Sequence, residues 1–289
     1  MPDFGSFRGF GEKLVQGQTP TQLGLIGSFT TFEADAVAFF DRVNAAGGTL
    51  SATEQLAVNT LVIDMKAAGV WTAMKAVYPM VGASAAACAQ NLKSASFTGT
   101  FNGGWTFAST GVTPNGTSAF LNSALVPSTQ LTATSTHISY YSRTETTVNS
   151  GVEIGTYNIG YSNGIEMALN RSVSSPRTYL TINSTPNATN NVSAGNQVSS
   201  GFFTGCRTSS SLASFYKNGS SIGTNTNSAI LSLSSFNIYI GASNDFGTAG
   251  AFSTKQCAFA SIGDGLTDTQ ASNFYTAVQA FQTTLGRQV

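Results

Sequence analysis

Acidic side chains are the first residues of this chain to test for chemistry. Retaining hydrolysis of a glycosidic bond needs two carboxyl groups about 5 Å apart. In the strand-like stretch 153–157 the only acidic residue is Glu153. The other candidates are isolated from one another in the sequence: Glu145, Glu166, Asp245 and Asp264. Two of them could meet in the fold, but this spacing favours a protein that is not an enzyme and has no catalytic residues.

Nucleophilic catalysis has a single histidine to draw on. A Ser-His-Asp set must use His137, and no Gly-x-Ser-x-Gly motif presents a serine. We therefore expect His137 to be a surface or packing residue. One histidine also excludes His-rich zinc sites, and no cofactor is expected.

The three cysteines, Cys88, Cys206 and Cys257, are an odd number and show no CxxC spacing. This pattern argues against a disulfide framework and against a zinc site. Buried free thiols are the expectation. Cys206 and Cys257 both lie in strand-like runs, which leaves open whether they pair.

Glycan binding needs an aromatic platform with amide and hydroxyl partners around it. Tryptophan and tyrosine supply the aromatic rings: Trp105, Tyr140, Tyr141, Tyr157, Tyr161, Tyr179 and Tyr239. In the strand-like run 137–143, Ile138 and Tyr140 alternate with His137, Tyr141 and Arg143. We predict that His137, Tyr141 and Arg143 form an exposed cluster that contacts glycans. The alternative is an outward polar face or a subunit contact.

The elements that must position these residues fall into three regions. Residues 1–28 place Phe4, Phe7 and Phe10 among glycines, and such a segment cannot bury its own rings. We interpret it as an extended arm that anchors the protein to a partner, with a frayed terminus as the alternative. Residues 29–95 are predicted to be a helical hairpin or stem. Residues 96–289 are predicted to be a β-sandwich with a C-terminal helix over 267–285.

Capping patterns mark the helix starts. Residues 30–33 (TTFE), 51–54 (SATE) and 267–270 (TDTQ) each match the capping box. The first two helices should end at the glycines near residues 47 and 69. A third short helix is predicted over 71–78 and a fourth over 83–90. The C-terminal helix should pack against the outside of the sandwich or against the helical region.

Short β-branched or aromatic runs bounded by turn residues fill the chain from 97 to 263. Ten or more strands at such spacing predict a sandwich or barrel. The runs are 97–101, 105–109, 137–143, 152–161, 165–170, 178–182, 201–207, 213–216, 237–241 and 256–262.

Charge is scarce in this chain. Charged residues make up 9% of it, against roughly 25% in an average soluble domain, and the formal net charge is zero. Nucleic acid and anionic membranes are therefore unlikely partners by charge. No secretory signal and no apolar run of about 18 residues is visible, so we expect a soluble protein made in a cytosol. A surface so poor in charge also favours a homo-oligomer, a trimer or a pentamer.

A hairpin signature identifies a family. Residues 215–219 (FYKNG), followed by 238–241 (IYIG) and a closing strand at 259–263 (FASIG), resemble the concanavalin A-like lectin/glucanase domains, including laminin-G-like modules. The resemblance covers roughly residues 97–265. It implies a mainly β fold, an antiparallel jelly-roll β-sandwich, here preceded by a small helical region and closed by a C-terminal helix. The clustered acids of the family's glycosidases are missing. Lectin-like members often hold calcium, which makes Asn244 and Asp245 weak calcium candidates.

The whole architecture resembles virion structural proteins of bacteriophages. That likeness implies a capsid decoration, spike or fibre subunit, assembled in the host bacterial cytoplasm. Its arm would contact other virion proteins and its jelly roll would be displayed outward, in contact with host polysaccharide where a glycan is bound. The alternatives are a free carbohydrate-binding module or lectin and, third, a glycoside hydrolase. The sequence does not specify the particle, the symmetry or the glycan.

Overall fold

Helices stand before and after a strand-rich middle. The computed structural model describes residues 31–146, 151–171, 177–226 and 232–289. In chain order, its helices and strands are α1 (Ala34–Ala45), α2 (Ala52–Ala67), β1 (Met74–Tyr78), α3 (Ala85–Cys88), β2 (Thr100–Asn102), β3 (Trp105–Ala108), β4 (Gly111–Pro114), β5 (Phe120–Asn122), α4 (Pro127–Gln130), β6 (Thr136–Ser142), β7 (Ile154–Tyr157), β8 (Gly164–Arg171), β9 (Arg177–Ser184), β10 (Val192–Ser193), β11 (Gly201–Ser209), β12 (Leu212–Lys217), β13 (Ser220–Asn225), β14 (Tyr239–Ile240), β15 (Ser243–Asp245), β16 (Thr248–Gly250), β17 (Cys257–Gly263) and α5 (Asp268–Thr284).

Two of the three predicted capping boxes form. At the start of α2, Ser51 Oγ accepts a hydrogen bond from the Glu54 amide at 3.2 Å, and the Glu54 carboxylate accepts one from the Ser51 amide at 2.8 Å. Thr267 and Gln270 make the same exchange at the start of α5. The box predicted for α1 is wrong, because Glu33 is itself the N-cap and makes no capping bond through its side chain.

The predicted third helix over 71–78 is also wrong. A 3₁₀ turn at Trp71–Ala73 leads directly into β1, which pairs antiparallel with β17. Pairing with β17, near the other end of the chain, overrides a weak local preference for a helix. The run also contains Val77 and Tyr78, residue types that favour strands. The predicted fourth helix is confirmed only as the short α3.

The strands form two sheets. The first has the order β13-β12-β11-β6-β17-β4-β3, with β1 also paired to β17. The second has the order β10-β9-β8-β7-β14-β5-β2, and β15 and β16 extend it beside β7. All pairs are antiparallel except β15 with β7. The expected fold class, a mainly β antiparallel jelly-roll sandwich with helices on either side in the sequence, is confirmed.

The core lies between the two sheets. Strand alternation sends every second side chain of each inner strand into it. From the first sheet come Ile138, Tyr140, Phe203, Phe215 and Ile262, and from the second come Ile154, Ile165, Met167, Leu169, Leu180 and Ile182.

The Asn218-Gly219 hairpin has the expected turn. Both residues have positive φ, 49° and 74°, and β12 pairs with β13 from Lys217 opposite Ser220 onward. Two positive φ values in a two-residue loop define a type I′ turn, which matches the right-handed twist of the strands. The Asn218 side-chain oxygen also accepts a hydrogen bond from the Phe202 amide at 2.8 Å, which attaches the turn to β11.

Helix α5 covers the outer face of the first sheet. Its Phe274 lies with its ring centroid 5.2 Å from that of Phe202 and 5.9 Å from that of Phe259. The helix also packs against α2, so it occupies both of the places predicted for it. Beyond α5, the buried Arg287 guanidinium donates to the backbone oxygens of Pro79 at 2.6 Å and Ala258 at 2.9 Å.

The cysteines are free and buried. Cys206 lies opposite His137 and Cys257 lies opposite Ser142, on strands at opposite sides of β6. Two strand spacings of about 4.8 Å, with five residues of offset along β6, exceed the reach of a disulfide.

Residues Glu33–Val289 form one compact unit, and the domain boundary near residue 95 stays a prediction. The anchoring candidates Phe4, Phe7 and Phe10 lie outside the described residues. Among the residues that the structure describes, no helix is long and apolar enough to span a membrane.

Candidate functional site

The three predicted glycan contacts lie on the outer face of the first sheet, under α5 and the C-terminal segment. His137 is fully buried, with Nδ1 2.6 Å from the backbone oxygen of Asp264 and Nε2 3.0 Å from Ser261 Oγ. Burial lowers the pKa of His137 to about 4, although the Asp264 carbonyl opposes the shift. The imidazole is therefore neutral at pH 7 and serves packing, one of the two roles expected for it.

Two of the three members of the predicted cluster are buried, and Arg143 is half-buried. Tyr141 is fully buried, and its hydroxyl lies 3.0 Å from Oε1 of Gln279 on α5. Arg143 donates through Nε to the backbone oxygen of Arg287 at 2.6 Å and through Nη1 to Gln256 at 2.7 Å. The prediction of an exposed face was wrong because strand alternation separates two faces but does not tell whether a distant helix covers one of them.

The calcium candidates lie on β15, next to the tight turn that joins it to β16. The Asn244 amide group donates to the Asn237 backbone at 2.8 Å, and its oxygen accepts from the Gly247 amide at 2.8 Å. Asp245 Oδ1 accepts from Ser243 Oγ at 2.6 Å. Within the described ranges, no group of three or more His, Cys, Asp or Glu residues could hold a metal ion. Both candidates therefore have structural partners inside the protein.

Glu153 is part of an internal ion pair. Its Oε1 lies 3.1 Å from Lys255 Nζ, and both side chains are fully buried. Oε2 accepts a hydrogen bond from the Leu169 amide at 2.7 Å, and Ser253 Oγ donates to Oε1 at 3.1 Å. Burial raises the pKa of Glu153, while the Lys255 charge opposes that shift. This carboxylate is out of reach of a substrate.

Two other acids do converge. A groove of about 590 Å³ on the outer face of the second sheet is lined by both Glu166 and Asp245. Strands β7, β8, β9, β10 and β15 contribute to it. Its other charged and aromatic lining residues are Tyr157, Tyr161, Arg171, Arg177 and Tyr179.

Strand alternation explains why the groove is polar. On β8, Ile165 and Met167 point into the core, so Glu166 between them points to the opposite face. On β9, Leu180 belongs to the core, so Tyr179 points outward beside β8. The second sheet thus buries one face in the sandwich and presents a carboxylate and a phenol on the other.

A compact hydrogen-bond network forms the floor of the groove. Glu166 Oε1 accepts a hydrogen bond from the Tyr179 hydroxyl at 2.6 Å and pairs with Arg171 Nη1 at 3.0 Å. Arg171 Nη1 also donates to the Tyr179 hydroxyl oxygen at 2.8 Å. Burial raises the pKa of Glu166, and Arg171, Tyr179 and Tyr157 oppose the shift. These mutual contacts hold the side chains of Glu166, Tyr179 and Arg171 in one arrangement.

The rings of Tyr157 and Tyr161 form one rim of the groove, and Phe246 packs on Tyr161 beside it. Tyr161 stands edge-on between Tyr157 and Phe246, at centroid distances of 5.2 and 5.4 Å. Tyr161 is 44% exposed and Phe246 is 39% exposed. Both have positive φ, 53° and 44°, a costly backbone conformation for bulky residues and one that is concentrated at functional sites. The Tyr161 hydroxyl donates to Asp245 Oδ2 at 3.2 Å.

In the sequence, these tyrosines belong to a longer aromatic set and Glu166 is one of several isolated acids. The sequence does contain a pattern that predicts which face these residues occupy. Alternation within 165–170 and 178–182 places Glu166 and Tyr179 on the face opposite to the core. Their adjacency depends on the register of β8 with β9, which no local pattern specifies.

No protein-family model matches the chain, and no curated protein matches it in sequence. Several solved structures are similar in fold. Domain 4 of AbnA, a GH43 extracellular arabinanase from Geobacillus stearothermophilus in complex with arabinotriose, is 14% identical with a TM-score of 0.48, over 70% of this chain and 98% of that one.

Two further structures are more distant. The CBM40 of the Ruminococcus gnavus IT-sialidase, bound to α2,3-sialyllactose, is 14% identical with a TM-score of 0.35, over 46% of this chain and 77% of that one. The heptameric SAP-like pentraxin from Limulus polyphemus is 16% identical with a TM-score of 0.33, over 48% and 68%.

Proposed function

We propose that the protein binds carbohydrate in the groove on the outer face of the second sheet. The observation that carries this proposal is the combination, in one cavity of about 590 Å³, of an exposed aromatic rim and a fixed polar floor. Binding pockets for small ligands typically measure about 300–1,000 Å³ and combine apolar walls with a few placed polar groups.

The aromatic rim suits one face of a sugar ring. A pyranose presents C–H groups on its flat faces, and these pack on aromatic rings with loss of apolar surface from water. Tyr161 and Phe246 keep large exposed fractions although their backbone is strained. Rings held in this way provide stacking area without first having to become ordered.

The polar floor suits the hydroxyl groups of a sugar. Glu166, Tyr179 and Arg171 are already bound to one another, so a ligand meets donors and acceptors whose positions are set. Asp245 adds a second carboxylate at the rim, with one oxygen bound to Ser243 and the other to Tyr161. Such preorganised groups reduce the entropy lost on binding.

The same contacts favour binding over hydrolysis. General acid catalysis needs a carboxyl group that holds a transferable proton. Glu166 Oε1 already accepts bonds from Arg171 and Tyr179, and both partners oppose the burial that raises the pKa of this carboxyl group. A non-enzymatic binding protein is therefore the function we infer, and turnover of glycan substrates would contradict it.

A glycan array tests the proposal. Wild-type protein is expected to bind a defined set of glycans, and Tyr161→Ala is expected to weaken binding about fivefold or more through lost stacking. Tyr275→Ala is the matched control, because Tyr275 lies on α5 at the opposite face of the molecule. Failure of the wild-type protein to bind any glycan, or equal losses in both variants, would overturn the proposal.

Display on a bacteriophage particle is a compatible and separate proposal. Its support is the low charge content of 9%, which suits a surface buried between repeated subunits. Deletion of residues 1–28 should abolish incorporation into particles, and light scattering should show a trimer or pentamer. Unchanged incorporation would contradict the anchoring arm, and a monodisperse monomer at high concentration would contradict the oligomer.

A further inference from the structure

Two arginines face each other at one end of the groove. Arg171 on β8 and Arg177 on β9 are directly opposite partners in the antiparallel ladder, and both line the groove. Side chains in such positions have their Cβ atoms roughly 5 Å apart, and like charges there repel one another. A negative charge bound near both guanidinium groups would offset such repulsion.

Among the described residues, a carboxylate compensates only one of the two charges. Arg171 pairs with Glu166 at 3.0 Å. Arg177 is exposed, and no carboxylate of a described residue forms an ion pair with it. The five residues that connect the two arginines are Ser, Val, Ser, Ser and Pro, none of which is acidic. Asp245, the other acid of the groove, is hydrogen-bonded to Ser243 and Tyr161.

We propose that the ligand of the groove is an acidic saccharide whose carboxylate or sulfate group binds at Arg171 and Arg177. This inference rests on the proposed glycan-binding function and names the class of glycan. The anion would receive charge-assisted hydrogen bonds from the Arg177 guanidinium, whose planar donors match the paired oxygens of either group. Its charge would also relieve the repulsion between the two arginines. The rest of the saccharide would extend along the groove toward Tyr161.

Glu166 has a defined part in this arrangement. It compensates Arg171 and orients its Nη1 toward Tyr179, while the Arg171 side chain stays 36% exposed. One net positive charge therefore remains at this end of the groove, and it lies on Arg177. A neutral glycan would leave that charge without a partner, whereas a monoanionic group would match it.

The test is an array of matched glycan sets, in which each oligosaccharide core is present as a neutral, a carboxylated and a sulfated form. Calorimetry then measures the affinity of the best set. The anionic form should bind at least about tenfold more tightly than its neutral counterpart, because hydrogen bonds to charged groups are strong. The carboxylated and sulfated arms identify which anion is preferred. The advantage of the anionic form should shrink as ionic strength rises.

Arg177→Gln is the decisive variant. It should bind the neutral form as wild type does and lose most of the advantage for the anionic form. Lys75→Gln is the matched control, since it removes one positive charge from β1 on the other sheet and should preserve the advantage. Thermal unfolding should show that Arg177→Gln is no less stable than wild type, because the substitution removes a repulsion.

The outcomes separate the two proposals. Equal affinity for neutral and anionic forms, or an advantage that Arg177→Gln retains, would overturn the inference about the anion and leave glycan binding standing. Binding to no glycan at all would overturn both proposals.

Discussion

The phenol hydroxyl of Tyr179 lies 2.6 Å from Oε1 of Glu166. The two residues come from different strands, and no local sequence pattern links them. The same Arg171 amino group reaches both of them. Side chains from β8 and β9 thus fix one another through a buried carboxylate. The groove has its polar floor before any ligand arrives, which is the property that the proposed binding function requires.

Removal of the Tyr179 hydroxyl should weaken both stability and binding. Tyr179→Phe deletes one hydrogen bond to a charged acceptor and leaves Glu166 with less compensation, so the free energy of unfolding should fall by about 1.5–3 kcal/mol. Denaturant unfolding measures this loss. Tyr239→Phe, which removes the same atom from a ring stacked on Phe120 in the same sheet, should change stability by less than about 0.5 kcal/mol. Equal effects in the two variants would mean that the network contributes nothing.

The single histidine predicts a simple pH dependence. The pKa of His137 has its ordinary value of 6.5 in the unfolded chain, and burial lowers this pKa to about 4 in the folded protein. The stabilising contribution is complete above pH 6.5 and is lost as the pH falls toward 4, by up to about 3 kcal/mol. Unfolding in denaturant at pH 7, 6 and 5 should show this decline. In His137→Asn the slope between pH 5 and 6.5 should flatten, and an unchanged slope would contradict the assignment.

Two ion pairs, Lys255–Glu153 and Lys75–Asp264, have the same N–O distance of 3.1 Å. They should differ greatly in their contribution to stability. Lys255→Met leaves the Glu153 carboxylate buried without its counter-ion and should destabilise the fold by about 3–5 kcal/mol. Lys75→Met breaks a pair with Asp264 in which both side chains are about one-third exposed, and should cost less than about 1 kcal/mol. Urea unfolding of both variants makes the comparison. Similar losses would show that burial does not determine how much each ion pair contributes to stability.

The C-terminal segment should stabilise β1. Arg287→Met leaves the buried backbone oxygens of Pro79, Met80 and Ala258 without their guanidinium donor, and should lower the free energy of unfolding by about 2–4 kcal/mol. Amide hydrogen exchange in β1 should accelerate. Arg177→Met, at an exposed position, should change stability by less than about 0.5 kcal/mol. Unaltered exchange in β1 would contradict this role.

Much of the fold could be predicted because its signals are local. Capping boxes at Ser51 and Thr267 satisfy amides within a few residues, and the Asn218-Gly219 turn depends on φ values that these two residues tolerate. The helix predicted over 71–78 failed for the opposite reason. Its residues form β1 because β17, nearly 200 residues away in the chain, offers them backbone partners.

The sequence by itself determined which residues can pack and turn: the strand periodicity, the helix starts, the hairpin and the scarcity of charge. Tertiary structure alone decided which polar face stays open. Helix α5 covers the face of β6 that carries His137 and Tyr141, whereas the outer face of β8 and β9 keeps Glu166 and Tyr179 in a groove. Alternation gives every strand two faces, and only the packing of distant elements determines which of them meets solvent.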